Sequence, residues 1–300
     1  MTIAKDIIRN DGSLSLNDFK PIAINYSKNN HRAGNTQVYH RVFENAINIL
    51  GNKALMEINT LDIEEFKNIR SQSVKKTTVN IELRTLKAIL NLAVKWNYIK
   101  TNPAKNVKQF KISEKELDFI SENEMTTLLE NIDDLKYRLL VKTAYYTGMR
   151  LNEILNLQWK DIGFTEMLIK VRNKEDFETK SGKNRTIPLS SKLSEGLILY
   201  KASLVRDEIY NDDNYVFSNR KRKRYDKHYI SRTFKKFIRK AKLNDHYHFH
   251  SLRHTCFSTL AKKGIGIYDI KEIAGHSSIR TTEIYLHTCT ESLRKAIEKL

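Results

Sequence analysis

The strongest constraint on this fold is a helical repeat that is abruptly cut short. Over residues 77–96, Val79, Leu83, Leu86 and Leu90, then Ala93 or Val94, recur at the spacing that gathers apolar side chains on one helix face. Asn102-Pro103 ends that run, because the proline ring disfavours helical geometry in the residue before it. Residues 105–115 are then polar and lysine-rich, and Ser121-Glu122-Asn123-Glu124 reads as a capping box ahead of Met125, Leu128, Leu129 and Ile132. A chain of 300 residues also exceeds an ordinary single domain. This punctuation predicts a helical domain over residues 1–105, a linker over 106–117 and a second domain over 118–300.

In the second domain, an apolar run over 135–146 stops at Gly148, and Leu151, Ile154, Leu155 and Leu157 begin another helix. Residues 167–172 alternate like a strand, and 185–189 read as its partner across a turn holding Ser181-Gly182. Residues 229–243 predict a basic amphipathic helix, with Ile230, Phe234, Phe237, Ile238 and Ala241 inward and Lys235, Lys236, Arg239 and Lys240 outward. Its polar face reads equally as a phosphate or major-groove surface and as an ordinary solvated face. Five consecutive cations over 220–224 fit a loop near a polyanion. The expected fold class is mainly α with a small β-sheet: a helical N-terminal domain followed by an α+β domain.

Charge narrows the choice of partner. Lys and Arg number 53 against 35 Asp and Glu, a net +18, and such an excess favours a polyanion bound in a salt-sensitive way. The excess is +7 over residues 1–105 and +11 over 106–300, so both domains are expected to touch nucleic acid. Cys256 and Cys289 are the only cysteines, which argues against a disulfide framework and for a reducing compartment. His248, His250, His254 and Cys256 lack the His-Glu-x-x-His or paired-cysteine spacing of a zinc site, so no metal or cofactor is expected. Charges interrupt the N-terminus, and no stretch reaches the roughly 18 apolar residues of a membrane span. A cytoplasmic protein without a membrane partner is the expectation.

The last third carries the chemistry. His250-Ser251-Leu252-Arg253-His254 precedes Gly275-His276-Ser277 and then Tyr285, while Thr147-Gly148-Met149-Arg150 lies upstream. Attack on a DNA phosphate spreads negative charge over the non-bridging oxygens, and guanidinium forks bind such oxygens bidentately. Arg150 and Arg253 suit that role. A tyrosine hydroxyl, with an ordinary pKa of about 10, is a weak nucleophile at neutral pH without cations or a base beside it. Tyr285 has His250 and His276 as helpers. The leaving alkoxide needs a proton from a general acid. Lys180, in Thr179-Lys180-Ser181-Gly182-Lys183-Asn184-Arg185, is the first choice, and Lys183 is the alternative. Glu153 shares a helix face with Arg150 and can hold its guanidinium. Singly, each residue has a duller explanation: Arg150 as a surface arginine, His276 as turn polarity, Tyr285 as a core aromatic beside Ile284 and Leu286.

As an ordered set these residues resemble the tyrosine recombinase (phage integrase, Xer-like) family, whose signature runs Arg, Lys, His-x-x-Arg, His or Trp, then Tyr. Arg150 lies in the first box, Thr-Gly-Met-Arg-Leu-Asn-Glu-Ile-Leu-Asn-Leu over 147–157, and Lys180 precedes Arg185-Thr186-Ile187-Pro188-Leu189. His250 and Arg253 fill the next box, His276 follows Gly275, and Tyr285 comes at the usual interval. Any single motif of this length recurs by chance; the six in order are specific, and the resemblance as a whole covers about residues 118–300.

The resemblance implies a SAM-like core-binding domain and a catalytic domain closing on duplex DNA as a C-shaped clamp, four protomers on two synapsed sites, and neither metal nor ATP. It implies attack by Tyr285 to give a 3′-phosphotyrosyl link, charge stabilisation by Arg150 and Arg253, and proton transfer assisted by His250. His276 would bind the phosphate, Lys180 would protonate the 5′-oxygen, and Glu153 and His254 would support the site. Site-specific strand exchange follows, as integration, excision, inversion or dimer resolution, typical of mobile elements. A type IB topoisomerase or a non-catalytic DNA-binding relative are the rivals. At the tail, Thr290-Glu291 reads as a cap for a helix bearing Leu293, Ala296, Ile297 and Leu300, which the resemblance implies docks on a neighbour.

Overall fold

The computed structural model describes residues 14–113, 118–174, 177–179 and 182–285, and the chain divides into two units, Met1–Lys115 and Glu116–Leu300. Among its described residues the first unit has four α-helices: α1 (Leu16–Asn30), α2 (Ala33–Leu50), α3 (Thr60–Ser73) and α4 (Lys76–Lys95). Ser15 caps α1 and Asn59 caps α3, each accepting N–H groups that the first turn leaves without partners. Helix α4 is the repeat that the sequence predicts, and Leu83, Leu86, Leu90 and Ala93 are buried with Phe19, Val42, Phe43 and Phe66. Within this apolar core Glu82 is fully buried. Its carboxylate accepts from Arg70 at 2.7 and 3.0 Å and from Asn45 at 3.2 Å, so the charge is compensated where it lies.

Past Pro103 the chain stays on this unit for a few residues. Val107 enters the core. The Asn80 amide exchanges two 2.9 Å hydrogen bonds with the Phe110 backbone, and the Phe110 ring has the Lys67 and Lys76 ammonium groups 5.0 and 5.6 Å from its centre.

In the second unit Ser121 caps α5 (Glu122–Glu130), which is followed by α6 (Leu135–Thr147) and the short α7 (Leu151–Leu155). An antiparallel sheet comes next, in the order β1 (Ile162–Gly163), β2 (Leu168–Val171), β3 (Arg185–Pro188), with Val171 opposite Arg185. Helices α8 (Ser191–Arg206), α9 (Lys227–Lys240), α10 (Phe249–Lys262), α11 (Ile267–Ala274) and α12 (Arg280–Glu283) complete the described part. The mainly helical class with a small sheet is what the sequence predicts; β1 and α8 are additions to it.

Helix α9 buries Ile230, Phe234 and Ile238, as its pattern requires. Three of the four cations assigned to its outer face are engaged by acidic neighbours. Lys235 and Arg239 meet Asp245 at 3.8 and 3.0 Å, and Lys240 meets Asp133 at 2.7 Å. Arg232 and Lys236 are exposed.

Candidate active site

The site is assembled where α7, α10 and the turn after α11 meet. Helix α6 stops at Gly148, which takes a left-handed φ of 60°, and a Cβ there would lie 2.4 Å from the Phe257 ring. Glycine is therefore required twice over, by backbone angle and by space. The turn delivers Arg150 to the start of α7, where the Glu153 carboxylate accepts both its backbone N–H at 2.9 Å and its Nη1 at 3.0 Å. The same carboxylate accepts Nη2 and Nη1 of Arg185 at 2.7 and 3.2 Å. Burial pushes the Glu153 pKa up, but the Arg185 fork and then Arg150 outweigh it and hold the group below the ordinary carboxylate range.

Arg253, on α10, is 2 % exposed and is the hub of the site. Nη1 donates to the Gly148 carbonyl, and Nη2 donates to the Ala274 carbonyl at 2.8 Å and to His276 Nε2 at 2.9 Å. One guanidinium thus ties together the segments that carry Arg150 and His276. Because arginine only donates, His276 Nε2 is an acceptor here, and its Nδ1–H faces the Thr282 hydroxyl at 2.9 Å. Burial, followed by the nearby Arg150 charge, brings the Arg253 pKa down to about 10, so it remains a cation at neutral pH. The His276 turn depends on Gly275, whose φ is 62° and whose absent Cβ would sit 2.9 Å from Arg185 Cδ.

Tyr285 is also 2 % exposed, with its ring 5.4 Å from that of Phe257. Its hydroxyl lies 3.1 Å from His254 Nδ1. Burial raises the phenol pKa while the Arg253 charge opposes the rise, so the group is held protonated. Burial, with His248 and Arg253 adding to it, lowers His254 to about 4, which leaves a neutral imidazole beside the phenol. His250 stands edge-on to His254 with ring centres 4.7 Å apart. Its ring has an open side, yet crowding and the neighbouring His254, Arg253, His248 and Arg150 lower its pKa as well. Cys256, buried in the same cluster, has its thiol pushed up to about 12 by burial and is unreactive as a thiolate.

Arg150, Glu153, His250, Arg253, His254, His276 and Tyr285 therefore converge on one region, and His254, expected only to support the site, is the imidazole that meets the Tyr285 hydroxyl. Lys180 lies outside the described residues, as does the tail helix over 291–300. Lys183 is exposed and lines a cleft of about 130 Å³ together with Arg185, Gly275 and His276. Asn173 staples the base of this hairpin by donating to the Gly182 carbonyl at 2.6 Å and accepting from Thr179 at 2.8 Å. Sequence reasoning missed Arg185 and Thr282 as members of the site. No group of three metal-ligating side chains occurs among the described residues.

Comparison with known proteins gives the family and the fold. The phage integrase family matches residues 118–291, and its SAM-like domain matches residues 15–112. A tyrosine recombinase of Thermosipho africanus is 27 % identical over 279 residues, covering 90 % of this chain and 94 % of its own. The Tn1549 transposon integrase, solved with a circular intermediate DNA, superposes with a TM-score of 0.79 at 19 % identity over 96 % of this chain and all of its own. A lambda integrase tetramer on a Holliday junction superposes with a TM-score of 0.74 at 19 % identity, covering 90 % of this chain and 79 % of its own. With more than half its length matched and Arg150, His250, His276 and Tyr285 of the signature gathered about Arg253, the chain belongs to the phage integrase family of tyrosine recombinases, enzymes that cut and rejoin DNA at specific sites.

Proposed function

We propose that this recombinase exchanges strands with Tyr285 as its nucleophile. The observation that supports this most strongly is the Arg253 guanidinium, which hydrogen-bonds the Arg150 segment and His276 while lying beside the Tyr285 phenol. The Tyr285 oxygen attacks the scissile phosphorus as its proton passes to the neutral imidazole of His254, 3.1 Å away, with His250 assisting from beside that ring. The bond to the 5′-oxygen breaks, and that oxygen takes a proton from Lys180, or from Lys183 beside His276. The products are a 3′-phosphotyrosyl link and a free 5′-hydroxyl; attack by the 5′-hydroxyl of a partner strand reverses the step.

Arg150 and Arg253 bind the charge that grows on the phosphate oxygens. When Arg253 turns toward phosphate, His276 Nε2 loses its donor. The Thr282 hydroxyl can donate as well as accept, so it supports the tautomer in which Nε2–H also points at phosphate. The protein acts on duplex DNA in the cytoplasm, on the nucleoid, as four protomers on two synapsed sites. The likeness to the lambda integrase tetramer supports the assembly, and no helix among the described residues is long and apolar enough to cross a membrane.

The test uses the cleavage site located from the covalent DNA adduct. Paired sites should yield exchanged products and a single site should not; relaxation of a single-site plasmid without joining would favour a topoisomerase. A substrate whose bridging 5′-oxygen is replaced by sulfur should restore cleavage to Lys180→Ala. Rescue of Lys183→Ala alone would move the acid by three residues, and rescue of neither would remove lysine from the role.

A further inference from the structure

Two guanidinium groups share the Glu153 carboxylate, and only one of them is required by the chemistry proposed above. Arg185 opens β3, and its side chain is 9 % exposed. It takes a two-point grip on Glu153 at 2.7 and 3.2 Å, while its Nε donates to the Ile273 carbonyl at 3.0 Å, two residues before the Gly275 turn. Arg150, with 20 % of its side chain exposed, makes one side-chain bond to the same carboxylate. A single carboxylate facing a single arginine would draw both prongs of its fork and cancel its charge. Facing two arginines, it leaves the trio with one net positive charge.

We propose that Arg185 is a positioning residue for phosphate cleavage: by gripping Glu153 and the Ile273 carbonyl, it leaves Arg150 a fork for the phosphate and registers the His276 turn against it. The inference rests on the proposed use of Arg150. It explains why Gly275 abuts the Arg185 shaft, since any side chain there would displace the strut. It also gives the lysine-bearing hairpin a fixed point, because β3 begins at the residue that is clamped.

The test is a double-mutant cycle, read as single-turnover cleavage at saturating protein and as site binding measured separately. Arg185→Gln should slow cleavage about 10- to 100-fold, the usual loss when a supporting residue goes, while leaving the dissociation constant within about twofold. Arg185→Lys should recover part of the rate, because it restores the charge without the fork. In a Glu153→Gln background the Arg185→Gln change should cost less than about threefold, since its main point of action is gone. Multiplicative losses in the cycle, unchanged cleavage, or equal losses of binding and cleavage would each overturn the inference. Should Arg185→Gln lose its cooperative melt, the same cycle run with Arg185→Lys decides by the same criteria. Failure of wild type to cleave at all would instead refute the reading on which the inference rests.

Discussion

Among the described residues each unit of this protein buries one glutamate and presents it to two arginines, and the two sites serve different ends. Glu82, in the first unit, receives a bidentate grip from Arg70, with Arg41 farther off at 3.7 Å and more than half exposed. Among the described residues no histidine or tyrosine shares that carboxylate, and its pair joins α3 to α4. Glu153, in the second unit, holds Arg150 and Arg185, and the Arg150 side chain faces a region containing Arg253, His276 and Tyr285. A buried ion pair is therefore a poor sign of function by itself. Convergence of further polar groups on the arginine is the informative part.

This contrast is sharpened most by removing the arginines. Arg150→Ala or Arg253→Ala should lower single-turnover cleavage by about two orders of magnitude or more, as oxyanion-binding donors do, with site binding retained. Equal loss of binding would place them in DNA positioning instead of transition-state stabilisation. Glu82→Gln should act in the opposite manner. It leaves Arg70 without its counter-charge and should lower the stability of the first unit by about 1–3 kcal/mol, visible as a shifted urea midpoint. Cleavage per bound complex should be unchanged, and a slower chemical step would erase the distinction between the two carboxylates.

A smaller effect concerns acid. The folded-state pKa of His254 is lowered to about 4 from an ordinary 6.5, and that of His250 is lowered too. The unfolded chain therefore binds protons that the folded chain refuses. Stability contributed by these neutral rings is full above about pH 6.5 and declines as pH falls toward about 4. Allowing for partial exposure, the fall should be about 1–2 kcal/mol between pH 6.5 and about pH 5. His254→Gln should flatten it, and a variant as acid-sensitive as wild type would reassign the dependence to carboxylates.

Much of this architecture is legible in the sequence because the chemistry restricts residue type. Arg150, Arg253, His276 and Tyr285 stand in fixed order, and the repeat of α4 is uninterrupted. Gly148 and Gly275 are visible as glycines, but the reason each must be one is not, since the Phe257 ring and the Arg185 shaft that fill their Cβ positions arrive from distant segments. Arg185 reads only as a landmark after the lysine, because nothing local announces a partner on another helix. Helix α8 escapes periodicity analysis because Ile198, Leu199 and Val205 are exposed and blur the buried stripe of Leu193 and Leu197. Strand β1, two residues long, has no period to detect. The pairing of Tyr285 with His254 is hidden for a physical reason: the two residues meet through folding of α10 against the chain after α12, and spacing alone does not say which imidazole turns toward the phenol.

The central claim is that the buried Tyr285 hydroxyl is the atom that joins DNA. Tyr285→Phe keeps the ring against Phe257 and removes only that oxygen, so fold and site binding should survive. On a suicide substrate nicked near the scissile phosphate, wild type should accumulate a covalent protein–DNA adduct that peptide mapping places on Tyr285, and the variant should form none. An adduct that persists in Tyr285→Phe, or that maps to Tyr268 or to a serine, would contradict the account.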